Sequence, residues 1–72
     1  MKIEYFPETD SLYIDLAGRP GTDTVEIGDG MVLDIDAGGH PVGIDIDQAS
    51  KHLDLARLDL KRIPFDVQQV AE

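Results

Sequence analysis

A chain of 72 residues with fifteen Asp and Glu against six Lys and Arg carries a net charge of -9 at pH 7, with 42% hydrophobic residues and neither Cys nor Trp. One small domain is all that this length builds, and a fold of this size hides only ~60% of the surface its unfolded chain exposes. Without cysteine there are no disulfides and no thiolate metal sites, and the acidic excess argues against nucleic acid or anionic lipid, which are gripped through Lys and Arg.

The first residues, MKIEYFPETD, interrupt their apolar positions with Glu4 and Pro7. No signal peptide is expected from them. No apolar run approaches the ~20 residues that cross a bilayer, so a soluble, cytoplasmic protein is expected. The charge is unevenly placed: residues 1–50 hold eleven acids and two bases, a net of -9, whereas residues 51–72 hold four of each and are neutral.

In chain order, Ile3 and Tyr5 alternate with Lys2 and Glu4, and Leu12, Ile14 and Leu16 alternate with Ser11, Tyr13 and Asp15. That is the period of a strand with one buried face. Pro7-Glu8-Thr9-Asp10 suits a four-residue turn. Pairing Phe6 with Ser11 then sets Tyr5 opposite Leu12 and Ile3 opposite Ile14. A Gly28-Asp29-Gly30 connection sets Ile27 opposite Met31 and Val25 opposite Leu33. A turn at Gly38-Gly39 sets Ile35 opposite Val42, Leu33 opposite Ile44 and Met31 opposite Ile46. All three registers place apolar residues on one face. Residues 17–23, with Gly18, Pro20 and Gly21, read as a loop.

The expected fold is therefore α+β: a small antiparallel meander of about five strands over residues 1–47, its apolar face covered by a short C-terminal helical segment. The loop before the second hairpin leaves open that this hairpin sits elsewhere in the sheet. Beyond the strands, Asp47 suits the N-cap of a helix opening at Gln48, and Ala49, Leu53 and Ala56 recur at helical spacing. Asp54 equally suits the start of a second short turn, so residues 48–63 read as one helix or as two short pieces. Pro64 ends that segment, and residues 64–72 form a tail. The whole is one domain, residues 1–72.

Three strings, Glu4-Tyr5-Phe6-Pro7-Glu8-Thr9-Asp10-Ser11-Leu12-Tyr13-Ile14, Glu26-Ile27-Gly28-Asp29-Gly30-Met31-Val32-Leu33-Asp34 and Val42-Gly43-Ile44-Asp45-Ile46-Asp47-Gln48-Ala49-Ser50, stand in an order and spacing that resemble a family of small prokaryotic proteins known as domain of unknown function 2283. The resemblance covers roughly residues 1–60. Phe6 departs from it, since the family usually has a polar or acidic residue between the Tyr and the Pro. The resemblance implies a small β-rich fold, a prokaryotic cytoplasmic origin and no established catalytic residue. Some members stand beside small toxin-like proteins, which implies an antitoxin-like role.

Among the residues themselves, Asp34, Asp36 and Asp45 are the metal candidates. Against the calcium-loop pattern they fill positions one, three and twelve, with Gly39 at position six, Gly38 where a third ligand belongs and Asp in place of the bidentate Glu. The flanks read as strands where that motif needs helices, so a solvated hairpin turn is the preferred reading. Alternation puts Asp34, Asp36, Asp45 and Asp47 on the face opposite the core, beside Glu4, Asp15 and Glu26, and Phe6, Tyr13 and Val32 share that face. His40 and His52 lack the spacing of a zinc pair. Ser11 and Ser50 have no adjacent histidine and no nucleophile elbow. No catalytic residue, no cofactor and no enzymatic activity are expected.

The neutral C-terminal part carries more apolar side chains than one sheet face buries. Leu55, Leu58, Leu60, Ile63 and Phe65 are the interface candidates. The expected function is a non-enzymatic protein-protein interaction module, either a homo-oligomer or the acidic, antitoxin-like partner of a basic protein. The alternative is a divalent-metal or small-ligand module built on the Asp34, Asp36 and Asp45 face.

Overall fold

A computed structural model describes residues 1–71. Its elements are β1 (Lys2–Phe6), β2 (Ser11–Asp15), β3 (Asp23–Gly28), β4 (Met31–Ile35), β5 (Pro41–Ile46) and one helical turn, α1 (Ala49–His52). The strands form a single antiparallel sheet in the order β1-β2-β5-β4-β3. Strands β3, β4 and β5 follow one another as neighbours. Residues 17–22 carry the chain from β2 to the far edge, so that β5 returns to lie beside β2, the placement of the second hairpin that its Gly- and Pro-rich loop left open.

The register explains why these residues choose strands. Ile3, Ile14, Ile44, Leu33 and Val25 stand in one row across all five strands, and Tyr5, Leu12, Ile46 and Met31 form the next. A one-residue slip in any strand would turn its apolar set to the wrong face. The opposite side has a row of Glu4, Tyr13, Asp45, Val32 and Glu26, and beside it Lys2, Asp15, Gly43, Asp34 and Thr24. The sheet thus has an apolar face and an acidic face, as the alternation required.

Two turns differ from the sequence expectation by one residue each. Gly28 rather than Ile27 pairs with Met31, and the register shifts between Glu26 and Gly28. Gly28 joins the strand, and Gly30, at φ 73°, supplies the positive φ the tight turn needs. Ile35 pairs with Pro41 rather than Val42, with a shift between Asp34 and Ile35. The turn is one residue tighter than expected because Asp36 gathers it, with its amide donating to the His40 carbonyl at 2.9 Å and its own carbonyl accepting from Gly39 at 2.9 Å.

The core is small and central. Val42, Ile46 and Ala49 are the buried hydrophobic residues, and Val42 is closed over by the crossing loop, where a Cβ added at Gly21 would lie 3.3 Å from its Cγ2. Helix α1 ends at His52, with Leu53 as its C-cap. The single long helix is therefore not formed. Residues 57–71 contain neither helix nor strand, although Asp54 does begin a short turn, its Oδ1 accepting the Ala56 amide at 3.0 Å. Glu72, the last residue of the expected tail, lies outside the described residues.

Candidate functional site

The residue that ties the helix to the sheet is Asp10, not Asp47. Gln48 occupies the N-cap position in left-handed geometry and offers no side-chain bond, while Asp47 Oδ1 takes the Ser11 hydroxyl at 3.4 Å. Asp10, in the β1–β2 turn, meets the helix start from forty residues away. Its carbonyl accepts the Ala49 amide at 2.8 Å, Oδ1 accepts the Ser50 amide at 3.1 Å, and Oδ2 accepts the Ser50 hydroxyl at 2.6 Å. Tyr5 donates its hydroxyl to the same carboxylate at 2.9 Å. The hydrogen bond from Ser50, with that from Tyr5, holds the Asp10 carboxyl below its ordinary range, and the same carboxylate raises the Tyr5 phenol. Asp10 reads locally as a turn residue; its cap is a long-range partnership with no local signal.

On the acidic face, Tyr13 spans three strands. The hydroxyl end of its ring lies over Gly43 of β5, so close that a Cβ there would stand 2.7 Å from Cζ. Its hydroxyl donates to Asp34 Oδ2 on β4 at 2.9 Å, which raises the phenol's pKa. Gly43 is in the sheet because only a bare strand backbone admits the ring. An aromatic residue that reads as exposed apolar surface is in this way half-buried and structural.

The structure does not gather the three metal candidates. Asp34 is held by Tyr13, and Asp45 stands two positions along β5 from Gly43, opposite Val32. Burial, then the nearby Asp47 and Asp34, push the Asp45 carboxyl up. Asp36 sits in the β4–β5 turn, where Arg19 donates to Oδ2 at 2.7 Å and the Gly38 and His40 amides donate to Oδ1 at 2.9 Å. Those bonds, led by Arg19, hold it well below the usual carboxylate range. Among the described residues, no three His, Asp or Glu side chains are grouped as metal ligands. His40 packs its Nδ1 3.3 Å from Asp36, and His52 lies near the β3–β4 turn at Gly30.

The remaining feature is uncovered apolar surface. The interface candidates Leu55, Leu58, Leu60 and Phe65 are exposed, Leu58 at 68%, while Ile63 is half-buried. Sequence reasoning missed a second exposed set, on the sheet itself: Ile3 and Tyr5 on β1, and Val25 and Ile27 on β3. Its signal was the strand order, because β1 and β3 are the two edges. The two sets approach each other along β1, where Lys2, Ile3, Glu4 and Tyr5 form one wall of an open groove and Gln68 and Val70 the other. No helix among the described residues is long and apolar enough to cross a membrane.

No curated protein and no solved structure matches the chain. A family model does match, over residues 2–50, which takes in all five strands and ends at the serine that Asp10 holds. It stops short of the expected residue 60, so the exposed leucines from Leu55 onward lie beyond it. The chain belongs to the family described as Protein of unknown function (DUF2283).

Proposed function

We propose that this protein is a non-enzymatic interaction module that self-associates, burying the uncovered apolar surface of the sheet edges and of residues 53–71 against a second copy. The observation that supports this most is the imbalance between inside and outside. Among the described residues, three hydrophobic side chains are buried, while thirteen large ones are exposed. Ile3, Tyr5 and Val70 line one open groove; adjoining exposed apolar side chains mark an interaction site, and at about 25 cal/mol per Å² their burial is the stabilisation still open to the chain.

Charge selects the occupant. The acids of the sheet other than Asp23 stand on one face, and the C-terminal part is neutral. A second copy joined through the neutral apolar surface turns both acidic faces toward water, whereas any contact between acidic faces is repulsive. The same arrangement leaves each acidic face free to steer a basic partner.

The test is the mass in solution of the unmodified protein beside a Leu58→Glu, Phe65→Glu variant, measured by light scattering. The proposal expects an oligomer that the variant shifts toward monomer while the strand signal in circular dichroism is kept. A wild-type monomer at all accessible concentrations overturns it.

A further inference from the structure

The structure assigns one sheet edge to this association: we infer that β1 pairs antiparallel with β1 of a second copy about a twofold axis at Ile3. This register rests on the self-association proposed above and goes beyond it in naming the strand, the pairing and the bonds.

Among the described residues, the backbone of β1 is half used. Thr9 donates to the Phe6 carbonyl, and Leu16 donates to the Val42 carbonyl on β5. In an antiparallel ladder the amide and carbonyl of one residue point the same way and alternate along the strand. Ser11, Tyr13 and Asp15 therefore turn toward β1, and they are the partners of Phe6, Glu4 and Lys2. The amides and carbonyls of Ile3 and Tyr5 point the other way and have no backbone partner among the described residues; the second strand enters the open groove beside β1 and displaces its far wall, Gln68 and Val70. A strand edge with free donors and acceptors is a template for another strand.

Side-chain complementarity chooses the occupant and the register. Pairing about Ile3 sets Ile3 against Ile3 of the second copy, with both amide-to-carbonyl bonds exchanged. Lys2 then stands opposite Glu4 of the other copy, and Glu4 opposite its Lys2, so the axis generates two attractive pairs on the acidic face. Pairing about Glu4 would instead oppose two carboxylates. On the apolar face, the rows from Ile3 and Tyr5 continue into the second sheet.

The other edge is guarded. Strand β3 shifts register between Glu26 and Gly28 and sets Asp23 in the row of Ile35, at the margin of the apolar face. A bulge and an inward charge are the usual devices against edge pairing. Strand β1 has neither, and its charges attract their own copy.

Hydrogen exchange of single amides and a charge swap test this directly. In the dimer the Ile3 and Tyr5 amides are expected to be protected and to lose that protection on dilution, while the Glu26 amide, which points outward from the β3 edge, exchanges fast throughout. At low salt, Lys2→Glu is expected to raise the dimer dissociation constant about tenfold, since both attractive pairs become repulsive. The double variant Lys2→Glu, Glu4→Lys is expected to restore it. If the protein dimerises yet Ile3 and Tyr5 stay unprotected, or the double variant is no better than the single one, the register is wrong and the self-association stands. If the unmodified protein is monomeric, both fall together.

Discussion

The middle of the sheet and its periphery are built from the same kinds of residue and are held very differently. Ile46 on β5 and Ile27 on β3 both follow from strand alternation, yet one is 5% exposed and the other 52%. The difference is position. Strand β5 has a neighbour on each side, whereas β3 has one. Each additional neighbour removes water from both faces of the strand between, so stability concentrates where the chain returns to the centre. The periphery leaves its apolar side chains exposed.

Substitution should sharpen this contrast, beginning at the centre. Ile46→Ala is expected to cost about 2–5 kcal/mol, the range for a large aliphatic side chain removed from a packed site. The same change at Ile27 should cost the isolated monomer less than about 1 kcal/mol, because more than half of that side chain is already wet. Thermal or urea unfolding of dilute protein measures both, and equal losses would break the comparison.

Next in size is Gly43→Ala, expected to cost about 1–3 kcal/mol because its Cβ displaces the Tyr13 ring. Tyr13→Phe keeps the ring and removes its bond to Asp34, so a loss of about 1 kcal/mol is expected. Combining Gly43→Ala with Tyr13→Ala should recover part of the first loss, which a double-mutant cycle reads as coupling.

The smallest effects are electrostatic and separate by sign. The folded state depresses the Asp36 pKa, so its contribution is present above the unfolded carboxylate pKa of about 3.9 and is lost as pH falls through the lower folded value. Asp36→Asn should lower the melting temperature at pH 7 and narrow its gap to wild type in acid. Asp45 is shifted the other way, so its charge opposes folding at neutral pH. Asp45→Asn should stabilise by up to about 0.5 kcal/mol at pH 7, a gain that fades as pH falls through the raised value.

The same division separates what the sequence revealed from what it did not. Strand existence, the apolar face and most of the register followed from alternation, because a period of two has only one self-consistent pairing once the turns are placed. Leu33 opposite Ile44 and Val25 opposite Leu33 are examples. The one-residue shifts at Ile27 and Val42 escaped it, since bulges leave the alternation on either side intact. Of the two readings of residues 48–63, the structure takes the short pieces: Ala49, Leu53 and Ala56 have helical spacing, but spacing makes a long helix only where a packed surface receives it. Asp36 was legible as a turn residue and not as the partner of Arg19, seventeen residues back, just as Asp10 was not legible as the cap of Ser50. Long-range polar partnerships depend on the strand order, and the loop that sets that order carries no periodic signal. The exposed leucines after Leu55 were legible because they fit no element.

The claim that the periphery is completed by a second copy is tested most directly by sedimentation equilibrium of the unmodified protein across a wide concentration range. The account predicts a mass that rises reversibly from monomer to dimer or beyond, with a melting temperature that rises alongside it. A single monomeric species with a concentration-independent melting temperature would contradict it.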